Sequence, residues 1–349
     1  MKENMKALRF YGPGKPLKIE EIPIPVIRSD SVLVDIKATG ICGSDIHILE
    51  GDTQVGKLPI TLGHEMSGQI AAVGRRVEDW TAGDRVCVNS IISCGHCPNC
   101  LVSRNSICTV SRNLIGIHFD GGLAEYCEVP ARNLIRLPDN IPFDIGAIIT
   151  DAVATPFHAL IRQAKLQMGN SVAIFGIGGL GYHAVKLAKL AGASFVIAVD
   201  IEEENLKRAT AAGADVVINS RESNPVEIIK ELTNGYGADI TLESVGLTET
   251  LDQAVQSIRR GGKAIAMGIG VHPIKTLPAS VFVRGELELI GASAFDTIDI
   301  EILVKLVANG KLNLSSSVTD RLPLEKAGEA LDRLWNKVGN PIRIVVCQD

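Results

Sequence analysis

The chain has 349 residues, 46% of them hydrophobic and 21% charged, and its 40 acidic against 35 basic residues give a formal net charge of −5. That length suits roughly two domains of about 100–200 residues, each able to bury a core, which excludes disorder as the dominant state. The acidic balance and the lack of a dense Lys/Arg run argue against nucleic acid as a main ligand, since such binders need a basic surface to displace counterions.

Thirty-four glycines against 4% aromatic residues point to many tight turns and an aliphatic core, as where parallel strands are buried on both faces. A membrane span needs about 18 consecutive apolar residues. The most apolar stretch, Val172 to Val199, is broken by His183, Lys186 and Lys189, so no span is expected. The opening MKENMKALRF has no apolar leader core, and a cytoplasmic location is expected.

Residues 1–152 carry short β-branched runs between Gly and Pro, including Val32 to Ile36, Ser67 to Val73 and Arg85 to Val88. Such closely spaced strands predict an irregular, mainly β domain. Residues 153–291 change texture. Apolar runs at 172–175, 195–199, 216–218, 239–243, 263–267 and 287–290 alternate with helical-period segments at Gly179 to Ala191, Glu203 to Ala212, Pro225 to Thr233 and Thr248 to Ile258. Strand and helix in alternation predict an α/β, doubly wound parallel sheet. Residues 292–349 return to helices, Asp299 to Asn309 and Leu324 to Lys337, and a last strand, Ile342 to Val346. Six strands already complete a two-half nucleotide sheet, so this tail is assigned back to the first domain.

Of eight cysteines, Cys94, Cys97, Cys100 and Cys108 form C-x2-C-x2-C-x7-C within a lobe spanning 90–110. In a reducing compartment clustered cysteines are metal ligands rather than a disulfide framework. Four thiolates close a tetrahedral shell around Zn²⁺ and leave no place for substrate, so this zinc is structural. The rival, an iron–sulfur cluster, shares C-x2-C-x2-C, but its fourth Cys follows after three residues and precedes Pro. Here Thr109 follows Cys108. Cys87, Cys127 and Cys347 lie in apolar, strand-like runs and read as inert core residues.

After the strand VAIF comes Gly176-Ile177-Gly178-Gly179-Leu180-Gly181 and then a helical pattern. Gly176 permits the tight turn, Gly178 lets backbone approach a pyrophosphate, and Gly181 lets helix meet strand. The helix start offers free N–H groups and a positive dipole to the phosphates. Nineteen residues beyond Gly181 the second strand ends in Asp200. A carboxylate there accepts from the adenosine ribose hydroxyls and repels a 2′-phosphate, which favours NAD over NADP. The competing reading is that Asp200 caps the helix near Glu203.

Metal-ligand residue types recur at three distant places: Cys42, Ser44, Asp45 and His47 in GICGSDIH; His64 and Glu65 in GHEMSG; and Asp151 in TDAVATPFHA. With GDRV (83–86), the cysteine lobe, DGGLAEY (120–126) and GIGGLG (176–181) in this order, the chain resembles the zinc-dependent medium-chain alcohol dehydrogenases nearly end to end. The resemblance implies a GroES-like catalytic domain and a Rossmann domain, two Zn²⁺ per chain and a homodimer or homotetramer. It places catalytic zinc on Cys42, His64 and, as the third ligand, Asp151, with Glu65 able to exchange with water on the metal. Helix N-capping before Ala152 would equally explain Asp151. The implied chemistry is Lewis-acid catalysis, in which the metal acidifies an alcohol hydroxyl and hydride passes to the nicotinamide. Ser44 would accept the proton and relay it through the cofactor ribose to His47. Asp45 would orient a ligand, or else be a surface acid at a helix start.

Zinc-free quinone and enoyl reductases share the scaffold but lack the Cys/His pair. A non-catalytic sensor holding NAD and zinc is a second alternative, and a zinc-ribbon nucleic-acid binder fails on charge. By family alignment Ser90 falls where aromatic residues often line the alcohol pocket, which favours secondary alcohols or polyols. His118, His158 and His183 read as packing or helix residues. Ile265 to Ile269 and Leu287 to Ile290 offer apolar edges for pairing of chains.

Overall fold

The computed structural model describes residues 3–348. They form two compact units, residues 3–154 with 295–348, and residues 155–294.

The first unit opens with β1 (Asn4–Phe10), β2 (Lys18–Pro23) and β3 (Ser31–Ile41), then α1 (Gly43–Glu50), β4 (Ile60–Thr61), β5 (Glu65–Val73), β6 (Arg85–Val88) and β7 (Ile91–Ile92). A short helix α2 (Pro98–Leu101) lies in the cysteine lobe, before β8 (Asn113–Leu114), β9 (Tyr126–Pro130) and β10 (Leu134–Arg136). β3 is the hub. Its alternate β-branched residues Val32, Val34 and Ile36 are buried, and it pairs antiparallel with both β5 and β9. β3 ends at Ile41, just before Cys42, and β5 begins at Glu65, so their Gly40–Glu65 pairing brings two sequence-distant motifs to one end of the sheet.

A helical run then extends over Phe143–Gln163, through α3 (Phe143–Ile148), a π-helical turn Ile149–Val153, α4 (Ala154–Phe157) and a second π-helical segment His158–Gln163. The sequence suggested a helix only from Ala152; it starts nine residues earlier, behind Pro142 at the N-cap and with Asp144 in the first turn, where an acid favours a helix dipole. Pro156 sits between the two π segments. Their wider turns fit a residue without an N–H, which would disrupt a regular α-helix. Among the described residues this run, and not Val172 to Val199, is long and apolar enough to cross a membrane, yet 89% of its apolar window is buried inside the protein. It is a core helix.

The second unit alternates β11 (Ser171–Phe175), α5 (Gly179–Leu190), β12 (Phe195–Asp200), α6 (Glu203–Ala212), β13 (Val216–Asn219), α7 (Pro225–Leu232), β14 (Ala238–Glu243), α8 (Thr248–Gln256), β15 (Ile258–Ala266), α9 (Ala279–Gly285) and β16 (Glu288–Gly291). The strand order β13-β12-β11-β14-β15-β16 is that of two mononucleotide halves meeting at β11 and β14, and every pairing is parallel. The doubly wound sheet is therefore present as expected. Ile265, suggested as an apolar edge, is fully buried, because β15 lies between β14 and β16. The outer strand on that side is β16.

In the tail, α10 (Thr297–Ala308), β17 (Asp320–Pro323), α11 (Ala327–Trp335) and β18 (Ile344–Cys347) complete the first unit. β18 pairs antiparallel with β3, Val345 opposite Gly40.

Candidate active site

At the end of β3 the chain turns at Cys42, the N-cap of α1, and the backbone N–H of Cys42 donates to Asp45 Oδ2 at 2.9 Å. Asp45 is fully buried, so it is not a surface acid. Its other oxygen lies 3.3 Å from His64 Nδ1, which fixes the imidazole and turns Nε2 toward Asp151 Oδ2 at 3.5 Å. Asp151 Oδ2 also stands 3.3 Å from Cys42 Sγ. Asp151 lies on the π-helical turn, well inside the helical run, and so cannot be the N-cap that its sequence context also allowed. Ligand atoms of Cys42, His64, Glu65 and Asp151 all lie within 4.8 Å of one another. A tetrahedral zinc with ligands at about 2.0–2.3 Å separates neighbouring donors by roughly 3.3–3.8 Å, and the observed spacings meet that range.

The electrostatics agree with a cation site. Burial pushes the Cys42 thiol up, and the Asp151 carboxylate adds to this. Burial likewise drives Glu65 up to about 8, against the pull of Arg343. For His64 burial alone would lower the value, but the Asp45 charge beside Nδ1 and the Asp151 carboxylate beside Nε2 raise it well above the usual imidazole range. These acids hold their protons because they crowd one buried space, and a divalent cation would replace them. Both Glu65 oxygens are buried without a hydrogen bond, with Oε1 3.3 Å from Arg343 Nη2. Gly40 makes room for this carboxylate: a Cβ there would lie 2.1 Å from Glu65 Oε2.

Arg343 was missed by the sequence reading. It is 3% exposed, and its Nη1 donates to Ile41 O at 3.0 Å. The available signal was a lone cation inside the apolar run 342–346, read as a strand, a position where an unpaired charge is costly; the observed strand starts one residue after it. Ser44 Oγ stands 3.7 Å from Cys42 Sγ. His47 lies one turn further along α1, its side chain 42% exposed and Nδ1 3.8 Å from both Glu50 and Asp52 carboxylates.

In the lobe, Cys94, Cys97, Cys100 and Cys108 converge. Sγ separations are 3.5 Å for Cys97–Cys100, 3.9 Å for Cys94–Cys100 and 3.9 Å for Cys97–Cys108, close to the roughly 3.8 Å between sulfurs around tetrahedral zinc. Backbone N–H groups of Cys97 and Cys94 donate to Cys94 and Cys108 sulfurs. Hydrogen bonds from the backbone of Cys100 and Thr109 bring Cys97 down to about 5 and Cys108 is also lowered, whereas burial pushes Cys100 up to about 11, so the backbone favours two of these thiolates and a cation would have to displace the proton of Cys100. Cys87 and Cys127 are buried in strands, their thiols pushed up by burial, Cys87 to about 12. Ser90 is 1% exposed. His158 and His183 are buried in helical segments, and His118 accepts from the Leu114 N–H.

In the second unit Gly176 adopts φ 87° at the end of β11. A Cβ on Gly181 would lie 1.8 Å from Gly176 O, so only glycine lets α5 approach the turn. A Cβ on Gly178 meets no described atom within 4 Å, which leaves the open side where a pyrophosphate would meet backbone. Gly178 caps α5 without a side-chain bond, Gly179 and Leu180 opening the helix. Asp200 ends β12 with Oδ2 accepting from Ile177 N–H at 2.6 Å, and Oδ1 from Ile201 and Glu202 N–H at 2.8 and 2.9 Å. The carboxylate therefore ties the glycine turn to β12, while the N-cap of α6 is Glu202.

A GroES-like unit bearing a Cys/His/carboxylate cluster and a four-cysteine lobe, followed by a doubly wound nucleotide sheet, defines a zinc-binding dehydrogenase. The family model for the alcohol dehydrogenase GroES-like domain matches residues 28–139, and that for zinc-binding dehydrogenases matches 179–309. The chain belongs to the zinc-dependent medium-chain dehydrogenase family. Among its relatives, L-threonine 3-dehydrogenase of Symbiobacterium thermophilum is 35% identical, covering 100% of this chain and 99% of that one. An NAD-dependent alcohol dehydrogenase of Sulfurisphaera tokodaii is 35% identical, with 95% and 97% covered. A structure from Sinorhizobium meliloti, described as a zinc-binding dehydrogenase bound to NADP, superposes with TM-score 0.91 at 30% identity, covering 99% of this chain and 100% of that one.

Proposed function

We propose that this oxidoreductase reversibly transfers a hydride from an alcohol, preferably a secondary alcohol or polyol, to NAD, giving a ketone or aldehyde. The observation that carries the reading is the buried convergence of Cys42, His64, Asp151 and Glu65. Zinc bound there would supply a Lewis acid that makes the substrate hydroxyl more acidic. Cys42, His64 and Asp151 hold the metal, and thiolate plus carboxylate balance its charge. Asp45 orients His64, while Glu65, beside Arg343, would be the ligand able to exchange with water. Ser44, next to the Cys42 sulfur, takes the substrate proton. His47, half exposed on α1, releases it to solvent. The second unit binds the cofactor at Gly176–Gly181.

Two observations bear on cofactor choice. Relatives include an NAD enzyme and a structure with NADP, but here Asp200 presents a carboxylate at the end of β12, followed by Ile201 rather than a cation, which supports NAD. A relative acting on the 3-position of threonine supports a secondary alcohol. A second zinc in the lobe, a cytoplasmic location and a homodimer or homotetramer paired along β16 complete the proposal.

The test is a screen of primary and secondary alcohols, polyols and sugars, in both directions, followed at 340 nm with NAD and NADP. Turnover of secondary alcohols with NAD is expected. Activity that survives removal of zinc contradicts the reading.

A further inference from the structure

A concavity of about 410 Å³ lies in the second unit, lined by Val255 and Ile258, by Leu277, Val281 and Leu287, and by Lys230, Arg260 and Arg284. Its size falls within the roughly 300–1,000 Å³ of small-molecule pockets. Two features separate it from an ordinary surface dent. The first is charge. Three cations line it and no carboxylate does, in a chain that carries five more acids than bases. None of the three is in an ion pair or a side-chain hydrogen bond with any described residue, whereas Arg259, next to Arg260, is held by Asp239 at 2.6 Å. The second is its floor. Val255 and Ile258 are 1% and 6% exposed and belong to one apolar cluster against which Leu277 and Leu287 pack, so the base is apolar while the rim is cationic.

Its place in the fold separates it from the nucleotide turn. Gln256 ends α8 and Ile258 begins β15, so the pocket sits at the amino ends of the parallel strands. The glycine turn follows the carboxyl end of β11. The two lie at opposite ends of the same sheet.

We propose that this pocket binds a phosphate monoester carrying an apolar body, with the chain on Val255, Ile258 and Leu287 and the phosphate among Lys230, Arg260 and Arg284. Three unpaired cations match a dianion better than a single carboxylate, and arginine offers the paired N–H donors that phosphate accepts. This inference does not depend on the catalytic reading, because it uses none of its residues.

Calorimetric titration of octyl phosphate into the full-length protein, in its native oligomeric state, tests it. Saturable binding of one molecule per chain is expected, unaffected by bound NADH, and at least 10-fold tighter than inorganic phosphate. Lys230→Ala, Arg260→Ala and Arg284→Ala combined should weaken it at least 10-fold, and Val281→Trp, which fills the cavity, should abolish it while NADH still binds. Equal affinity in the triple variant, displacement by NADH, or equal binding of neutral octyl glucoside overturns the proposal.

Discussion

Asp200→Asn probes both tasks assigned to one carboxylate. In the native chain its two oxygens accept three backbone N–H groups, from Ile177 on one side and from Ile201 and Glu202 on the other. Asparagine has one oxygen. If that oxygen stays on the Ile201 and Glu202 side, its NH₂ faces the Ile177 N–H across the 2.6 Å now spanned by a hydrogen bond, donor against donor. Ile177 is 2% exposed, so water cannot take over, and a buried unpaired donor costs about 1–3 kcal/mol. For a domain near 150 residues that lowers Tm by roughly 2–4 °C per kcal/mol. The cofactor effect is separate. A carboxylate and a phosphate charge about 5 Å apart repel by about 3 kcal/mol at an effective dielectric of 20, so neutralising Asp200 should narrow the preference for NAD over NADP by about 10- to 100-fold. Thermal melting and kcat/KM at 340 nm with each cofactor read the two effects. An unchanged melting temperature with an unchanged cofactor ratio would refute both assignments.

Three further outcomes are expected. His47→Gln lowers turnover at neutral pH and is partly rescued by basic buffer; a pH profile like that of the native protein removes His47 from the proton path. Gly40→Ala drives a methyl into the space of the buried Glu65 carboxylate and should cut activity at least 10-fold, with zinc in the lobe retained; full activity would mean that Glu65 moves freely. Asp239 concerns acid stability. Burial raises its carboxyl, but the N–H and hydroxyl of Ser171 and the Arg259 guanidinium outweigh that and hold it below the usual range. A depressed folded value contributes stability that is complete above the ordinary pKa of about 3.9 and lost as pH falls through the folded one. Asp239→Asn should therefore flatten the fall in unfolding free energy below about pH 5, and an acid limb as steep as the native one would contradict this.

The parts of the fold written in local pattern were legible in the sequence. All six strands of the doubly wound sheet coincide with the apolar runs, and the central ones, buried on both faces, must be continuous in β-branched and aliphatic residues. Both cysteine spacings and the glycine turn were equally plain, because ligand geometry and positive φ restrict residue choice. What escaped depended on tertiary partners. Arg343 approaches Glu65 only because β18 pairs with β3, and it bonds Ile41 across 302 positions. The helix at Asp151 begins earlier than its sequence suggested because Pro142 serves as its N-cap, with Asp144 in the first turn. The short α9, rich in valine, carries no helical signal.

The chain is expected to hold two zinc ions of opposite coordination logic, one closed in thiolates and one left open for substrate. Metal analysis of the purified protein by plasma mass spectrometry tests it most directly. Two zinc per chain are expected, with Cys42→Ser or Asp151→Asn each leaving about one and abolishing turnover, and Cys97→Ser also leaving about one but lowering Tm. Iron in place of lobe zinc, or a native chain that is fully active with fewer than two zinc ions, would contradict this assignment.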